Sequence, residues 1–431
     1  LDAAPKALLR YGCLCLCALL ASAETPARAD DEAAPATRPP APGPPAPGPD
    51  AIDPNRDAII PFPVLGGNSD VGLEVGVAGA ITRFRDGFFP YRFRLDAVLS
   101  TSIKSDERGF RLGQHYETIR FDMPQFLSPR MRLDARVAFW RAVDAPWAGV
   151  GNATGLEPRP TPPGTASAYS YVAQTISAAA LLRVQTDTPF DVALYSRSRY
   201  QFPDVAAGSK LADDLASGAV VGGDPSFLQT LAIGLVHDTR NSEIMPKAGV
   251  LYMAGIGGTL GTAERVQFGE GSVSVTHYAS FGSTVTFANR LLTSMKFGNV
   301  PFYELQQGDV LNPKYLVGGN KGLRGVRLGR YAGLAKVLVN TELRLTPLPR
   351  YKVFGWSILP GASALFDTGR VWTAYAARPS TDGRTLGLKW GAGGGLFLEW
   401  NQAQVFRIDV TYSPDRSDAP ISFYFDSEFI F

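Results

Sequence analysis

The chain has 431 residues and a formal net charge of +2 at neutral pH, so no strong field directs it to nucleic acid or to an acidic partner. Glycine is abundant at 45 residues and aromatics reach 11%, whereas cysteine is confined to Cys13, Cys15 and Cys17, which excludes a disulfide framework for the rest of the chain. No apolar run reaches the ~20 residues that a membrane-spanning helix needs.

Lys6 and Arg10 precede a short apolar run, Tyr11 to Leu20, which closes on Ala21-Ser22-Ala23. A charged segment, an apolar segment and a small-residue cleavage site together read as a secretory signal peptide over residues 1–23. A lipoprotein signal built on a cysteine fits less well, because Arg10 and Tyr11 stand just before Cys13. The three cysteines are then bulk in a discarded segment, with neither metal nor disulfide to serve. Residues 24–56 are rich in Pro and Ala and cannot bury a core, so they read as a disordered periplasmic tether rather than a partner's ligand.

From residue 57 onward, segments of about 9 to 16 residues alternate apolar and polar, long enough to cross a membrane as tilted strands. Phe93, Leu95, Ala97 and Leu99 oppose Arg92, Arg94 and Asp96; Met131, Leu133, Ala135, Val137 and Phe139 oppose Arg132, Asp134 and Arg136. Val337, Val339, Leu343 and Leu345 oppose Lys336, Asn340, Glu342 and Arg344, and Phe406, Ile408, Val410 and Tyr412 oppose Arg407, Asp409 and Thr411. In the last strand Ile421, Phe423, Phe425, Phe429 and Phe431 share one face, against Ser422, Tyr424, Asp426 and Glu428. Soluble sandwiches alternate too, but their strands average about 5 to 6 residues. The pattern predicts an all-β, antiparallel transmembrane barrel over residues 57–431, closed because lipid tolerates no open edge.

Short connections near residues 86–90, 124–129, 185–188, 241–247, 281–282, 347–351 and 401–402 alternate with longer ones near 104–109, 144–167, 203–226, 261–269, 302–333, 373–386 and 414–420. Periplasmic turns are short and outer loops long, so the alternation predicts about 16 strands with both ends in the periplasm. It requires a short first strand, Asp57–Leu65, turning at residues 66–69. Pro61 and Pro63 would break its ladder and suit only an edge.

The longest outer loop holds Gly318–Gly333, with four cations, Lys321, Arg324, Arg327 and Arg330, among glycines and few apolar residues. Its stretch Gly319-Asn-Lys-Gly-Leu323-Arg324-Gly325 resembles the Val-Arg-Gly-aromatic loop motif of the BamA/TamA superfamily, the bacterial surface antigen family of outer-membrane assembly and translocation barrels. Asp238–Gly249 resembles that family's Asp-x-Arg…Pro…Gly periplasmic turn, Asn340–Arg344 its Asn-x-Glu-Leu-Arg strand, Leu365–Arg370 its Phe-x-Asp-x-Gly strand, and Trp147–Asn152 its aromatic-x-Gly-x-Gly-Asn loop. The five stand in the family's order across roughly residues 57–431. The resemblance implies that Arg324 sits inside the barrel and bridges to Glu342 and Asp367 on the next two strands. A planar guanidinium suits such bidentate contacts and Lys does not. The sequence departs from the family in carrying only the Pro-rich tether ahead of the barrel, with no POTRA unit in the residues given.

The resemblance further implies a non-enzymatic role. The barrel, a monomer in outer-membrane lipid, would assist insertion or translocation of unfolded outer-membrane protein clients. The weak first strand and the last strand, with Phe425, Phe429 and Phe431, would form a lateral seam. A passive plugged channel without clients is the competing expectation. His115, His237 and His277 lie on different predicted strands without metal spacing, and no nucleophile elbow occurs, so neither metal, cofactor nor catalytic group is expected.

Overall fold

The computed structural model describes residues 55–431 apart from 89, 107–108, 164, 264–265, 354–355, 403, 417–419, 427 and 430. The predicted signal peptide, and the tether up to residue 54, lie outside the described residues.

The strands in chain order are β1 (Asp57–Asn68), β2 (Gly72–Arg83), β3 (Phe93–Asp106), β4 (Gly109–Pro124), β5 (Met131–Pro146), β6 (Ser170–Val184), β7 (Asp191–Asp204), β8 (Ser226–Asp238), β9 (Gly249–Gly261), β10 (Gln267–Phe281) and β11 (Val285–Asn299). They continue as β12 (Ala335–Leu345, resumed at Tyr351–Val353), β13 (Trp356–Trp372), β14 (Lys389–Trp400), β15 (Gln404–Tyr412) and β16 (Ile421–Asp426). Both segments of β12 pair with β13, so they are one barrel strand. The result is the expected closed barrel of 16 antiparallel strands, each beside its sequence neighbour, with β16 returning to β1.

Each strand follows the period-2 code. Leu99, Ile119, Val137, Leu231, Phe366 and Ile408 stand exposed on the outer face, while Arg199, Arg290, Glu342, Arg344, Asp367 and Arg407 are buried on the inner face. Trp356 and Trp400 meet at a tilt, ring centroids 4.6 Å apart, where β13 and β14 meet the short turns, a position suited to an interfacial aromatic belt.

The long connections close the other end. Trp147, Tyr171, Leu211, Phe302 and Tyr303 pack into one apolar cluster there. A short helix, α1 (Lys210–Ala216), is capped by Ser209, whose Oγ accepts from the Ala212 N–H. Its Asp214 accepts from the Trp147 indole at 2.9 Å.

The barrel closes weakly. β1 pairs with β2 along all 12 of its residues but, among the described residues, meets β16 only at Asn68 opposite Tyr424. Every other adjacent pair of barrel strands is matched over at least the six positions of β15 and β16. At the loop end the Ser69 N–H donates to the Phe423 carbonyl at 3.1 Å. Toward the turn end, among the described residues, β1 has no strand on that side. Phe62 meets Phe406 of β15 edge-on across the gap, at 6.1 Å between centroids.

Two expectations need correction. The first strand is not short: it runs from Asp57 to Asn68, and the turn follows at residues 69–71. Its register with β2 continues through Pro61 and Pro63. Two residues apart, these prolines turn their nitrogens to the same side, the edge away from β2, so the β2 ladder loses no donor. The last strand is shorter than its alternation suggests, ending at Asp426. Phe429 lies inside the barrel, 8% exposed, against Phe397, Leu359, Val405 and Met245. Phe431 lies by the lumenal Tyr278, with ring centroids 6.5 Å apart. Arg344 stacks on the Phe429 ring at 3.7 Å, a contact that a lipid-facing ring would forgo.

Candidate functional site

The connection from β11 to β12 does not stay outside. After a 3-10 turn at Phe302–Glu304 it descends into the lumen as a small hairpin, Gln307–Gly308 paired with Lys314–Tyr315, and then as the glycine-rich loop. The loop buries more apolar surface than its composition suggests. Leu316, Val317, Leu323, Val326 and Tyr331 form a core with Leu292, Leu338 and Val371 of the wall. Gly319 and Gly325 adopt φ of +92°, a region that favours glycine. They turn the chain so that Leu323 points to this core and Arg324 to the polar groups of the same wall, Glu342 and Asp367.

Arg324 is fully buried. Its Nε and Nη2 donate to Asp367 Oδ2 and Oδ1 of β13 at 2.7 and 2.9 Å, and its backbone N–H donates to the same carboxylate at 3.0 Å. Nη1 donates to Glu342 Oε1 of β12 at 2.5 Å. The loop can come this close only because Gly391 of β14 has no side chain: a Cβ there would stand 1.9 Å from the Arg324 carbonyl oxygen.

Three groups complete the site that sequence reading placed on the inner face without joining them to Arg324. Arg407 of β15 bonds Glu342 at 2.9 Å and Asp409 at 2.8 Å, and Asp409 also lies 3.6 Å from Arg324. Arg344 donates to the second oxygen of Glu342 at 2.8 Å. Three guanidinium groups thus face three carboxylates, a balanced set in a site with almost no solvent. Burial alone would lower the Arg324 pKa; Asp367 and Glu342 outweigh it and hold the guanidinium well above its ordinary value. Removing one partner of such a buried set strands the others, at a cost of about 3–5 kcal/mol. The signal for Arg407 and Asp409 was their shared inner face at i, i+2.

The loop also holds the last strand from inside. The Gly325 N–H donates to Tyr424 Oη at 2.9 Å, Asn320 donates to Asp426 at 3.1 Å, and Lys321 bridges Asp426 at 3.3 Å and Glu428 at 2.8 Å. Of the predicted seam residues, Phe425 stays at the seam, where its ring lies against Gly66 of β1. Phe429 and Phe431 do not; they line the lumen beside the arginine cluster, with Phe429 5.1 Å from Arg407. Above the loop, Arg330 donates to the Thr154 hydroxyl at 2.7 Å and to its carbonyl, and the Gly151 N–H donates to the Ala332 carbonyl at 2.8 Å. Asn152 ties this outer loop onward to the Gly387 carbonyl and the Val371 N–H. The Asp238–Gly249 turn reaches across the turn end, where Glu243 accepts from Arg132 at 2.6 and 3.1 Å and Met245 joins the Phe429 cluster.

A closed antiparallel barrel whose longest outer loop returns into the lumen and is fixed there by an arginine belongs to the class of outer-membrane β-barrels with a lumen-inserted loop. The Omp85 superfamily domain matches residues 105–426, well over half of the chain, and the chain belongs to that superfamily. It is a protein of the bacterial outer membrane. Among solved structures it is similar to BamA from Haemophilus ducreyi lacking POTRA domains 1–3, at 16% identity and a TM-score of 0.52, covering 87% of this chain and 70% of that one. It is also similar to CdiB from Escherichia coli, at 13% identity and a TM-score of 0.52, covering 86% of this chain and 62% of that one, less than two thirds of CdiB. At these identities the likeness is one of fold. No curated protein matches the sequence.

Proposed function

We propose that this barrel assists insertion or translocation of other polypeptides at the outer membrane, with the β1–β16 seam as its lateral gate. Its clients are unfolded outer-membrane proteins, it works as a single barrel in outer-membrane lipid, and its action is mechanical, with no catalytic group or cofactor. The observation that carries this reading is the single residue pair, Asn68 with Tyr424, that joins β1 to β16 among the described residues. Few ladder bonds need to break for the wall to part there. The strand edge then offered to a client can be extended by β-augmentation. Pro61 and Pro63 remove donors from that edge and keep it from sealing.

Arg324 sets the position of the loop, and the loop holds β16 through Asn320, Lys321 and Gly325. The arginine cluster is therefore the control point of the seam. The test compares Arg324→Ala and Arg324→Glu with the double change Arg324→Glu plus Asp367→Arg in native membranes. We expect the single changes to lower the level of other outer-membrane proteins while the barrel still folds heat-modifiably, and the double change to restore it. The filled lumen and closed outer end also suit a plugged channel without clients. Altered conductance with normal levels of every other outer-membrane protein would establish that reading and end the assembly role.

A further inference from the structure

We infer that the lumen loop has a second, apolar anchor, independent of Arg324: the tip of the Gln307–Tyr315 hairpin, seated in a groove of glycines on the inner wall of β8 and β9. The tip residues Val310 and Leu311 are almost fully buried, 1% and 3% exposed. The groove is cut by three glycines on neighbouring strands, Gly234 of β8 and Gly255 and Gly257 of β9, with Gly234 directly opposite Gly255. A Cβ at Gly234 would stand 2.6 Å from Leu311 Cδ1, one at Gly255 would stand 2.7 Å from Val310 Cγ1, and one at Gly257 would stand 2.9 Å from Val310 Cγ2. At Gly255 the tip alone fills the space that a methyl group would need; at Gly234 and Gly257 the wall crowds it as well, through the Ala254 carbonyl oxygen at 2.5 Å and Ala232 Cβ at 2.6 Å. The inner wall around the groove is apolar, with Ala193, Tyr195 and Val236 in the same cluster, although most of the lumen is lined by charged and hydroxyl side chains.

The hairpin is shaped to present this tip. Asp309 turns the chain at φ +76°, its carbonyl accepts from the Asn312 N–H at 3.1 Å, and its carboxylate holds Lys314 at 3.0 Å. The Val310 N–H donates to Ser272 Oγ of β10 at 2.9 Å, so this backbone donor keeps a partner as the tip goes in. Arg324 is fixed to β12, β13 and β15, a different sector of the wall. The loop therefore spans the lumen as a strut with one ionic end and one apolar end. Releasing one end leaves the other attached, and the glycines position the hairpin by what they lack.

The experiment uses the purified full-length barrel and reads two things: the rate of tryptic cleavage after Lys314 and single-channel conductance in planar bilayers. Heat-modifiability on gels reports whether each variant has folded. Gly255→Val fills the groove. The expected result is a folded barrel in which Lys314 is cut about tenfold faster or more than in the parent and conductance rises, as local opening of the hairpin requires. Adding Val310→Ala and Leu311→Ala makes room for the new side chain and is expected to restore protection. Arg324→Ala alone is expected to leave Lys314 protected. Should Gly255→Val prevent folding, Leu311→Asp expels the tip without altering the wall and is read the same way. Unchanged cleavage in the groove-filled or Leu311→Asp barrel overturns the inference. So does equal exposure of Lys314 in Arg324→Ala, since the loop would then hang on one anchor only.

Discussion

Tyr424 of the last strand receives a hydrogen bond from the backbone N–H of Gly325 at 2.9 Å, one residue after the arginine that fixes the lumen loop. The same Tyr424 is the residue of β16 that stands opposite Asn68 of β1. The side chain faces the loop while the backbone makes the seam. Loop and seam therefore meet in one residue, and displacing one disturbs the other.

Tyr424→Phe keeps the ring and removes the acceptor. The Gly325 N–H is then left without a partner in a buried site, at a cost of about 1–3 kcal/mol. We expect a lower urea midpoint for the folded barrel in micelles, and faster cross-linking of the seam to an added β-strand peptide, because β16 loses one of its holds on the loop. An unchanged midpoint and cross-linking rate would separate loop from seam.

Gly391→Ala is expected to act like Arg324→Ala although it changes no charge. Its methyl group would lie 1.9 Å from the Arg324 carbonyl oxygen, and backbone cannot swing aside as a side chain can. The loop must lift from β14, breaking the Asp367 contacts. Equal losses of client level in the two variants would support this coupling; a Gly391→Ala barrel with normal client levels would refute it.

Locking the seam tests the gate directly. Phe62 and Phe406 face each other across the gap at 6.1 Å. Cysteines at these two positions, joined by dibromobimane, should abolish client insertion while leaving heat-modifiability intact, and reduced, unjoined cysteines should leave insertion near the parent level. Insertion that survives cross-linking would exclude parting of the wall between β1 and β15.

Glu304, in the 3-10 turn above the lumen, carries a pH prediction. Burial alone would raise its pKa, but Lys296, Arg199 and Arg197 outweigh that and hold it well below the ordinary glutamate value of 4.5. Lys296 lies at 2.9 Å and Arg197 at 3.3 Å, and Arg199 is in direct contact. A depressed pKa means the carboxylate stabilises the fold fully above the unfolded value and loses that contribution only as pH falls through the folded one. Glu304→Gln should therefore be less stable than the parent by about 3–5 kcal/mol at pH 7, the cost of unpairing buried charges. The gap between their urea midpoints should hold down to about pH 5 and close only at strongly acid pH. A gap that closed between pH 7 and 5 would place the titration on another group.

Much of this architecture was written into the chain one residue at a time. Lipid outside and water inside impose opposite polarity on alternate residues, so Leu343 and Ile408 could be told from Glu342 and Asp409 without coordinates. Short turns alternating with long loops set an even number of strands. The pairing of Arg324 with Glu342 and Asp367 came from a resemblance of motifs, reinforced by the polar face that Glu342 shares with Arg344. What the chain could not show was which inner faces converge. Arg407 and Asp409 reach Arg324 only because the barrel curves β15 back toward β12, and Tyr424 reaches Gly325 only because the loop folds down to the last strand. Phe429 and Phe431 keep the outward alternation in sequence, yet the tertiary structure brings Phe397, Arg344 and Tyr278 within reach and draws both rings into the lumen. At a strand end, where the ladder among the described residues stops at Asp426, contact with those groups decides which side of the wall a ring occupies.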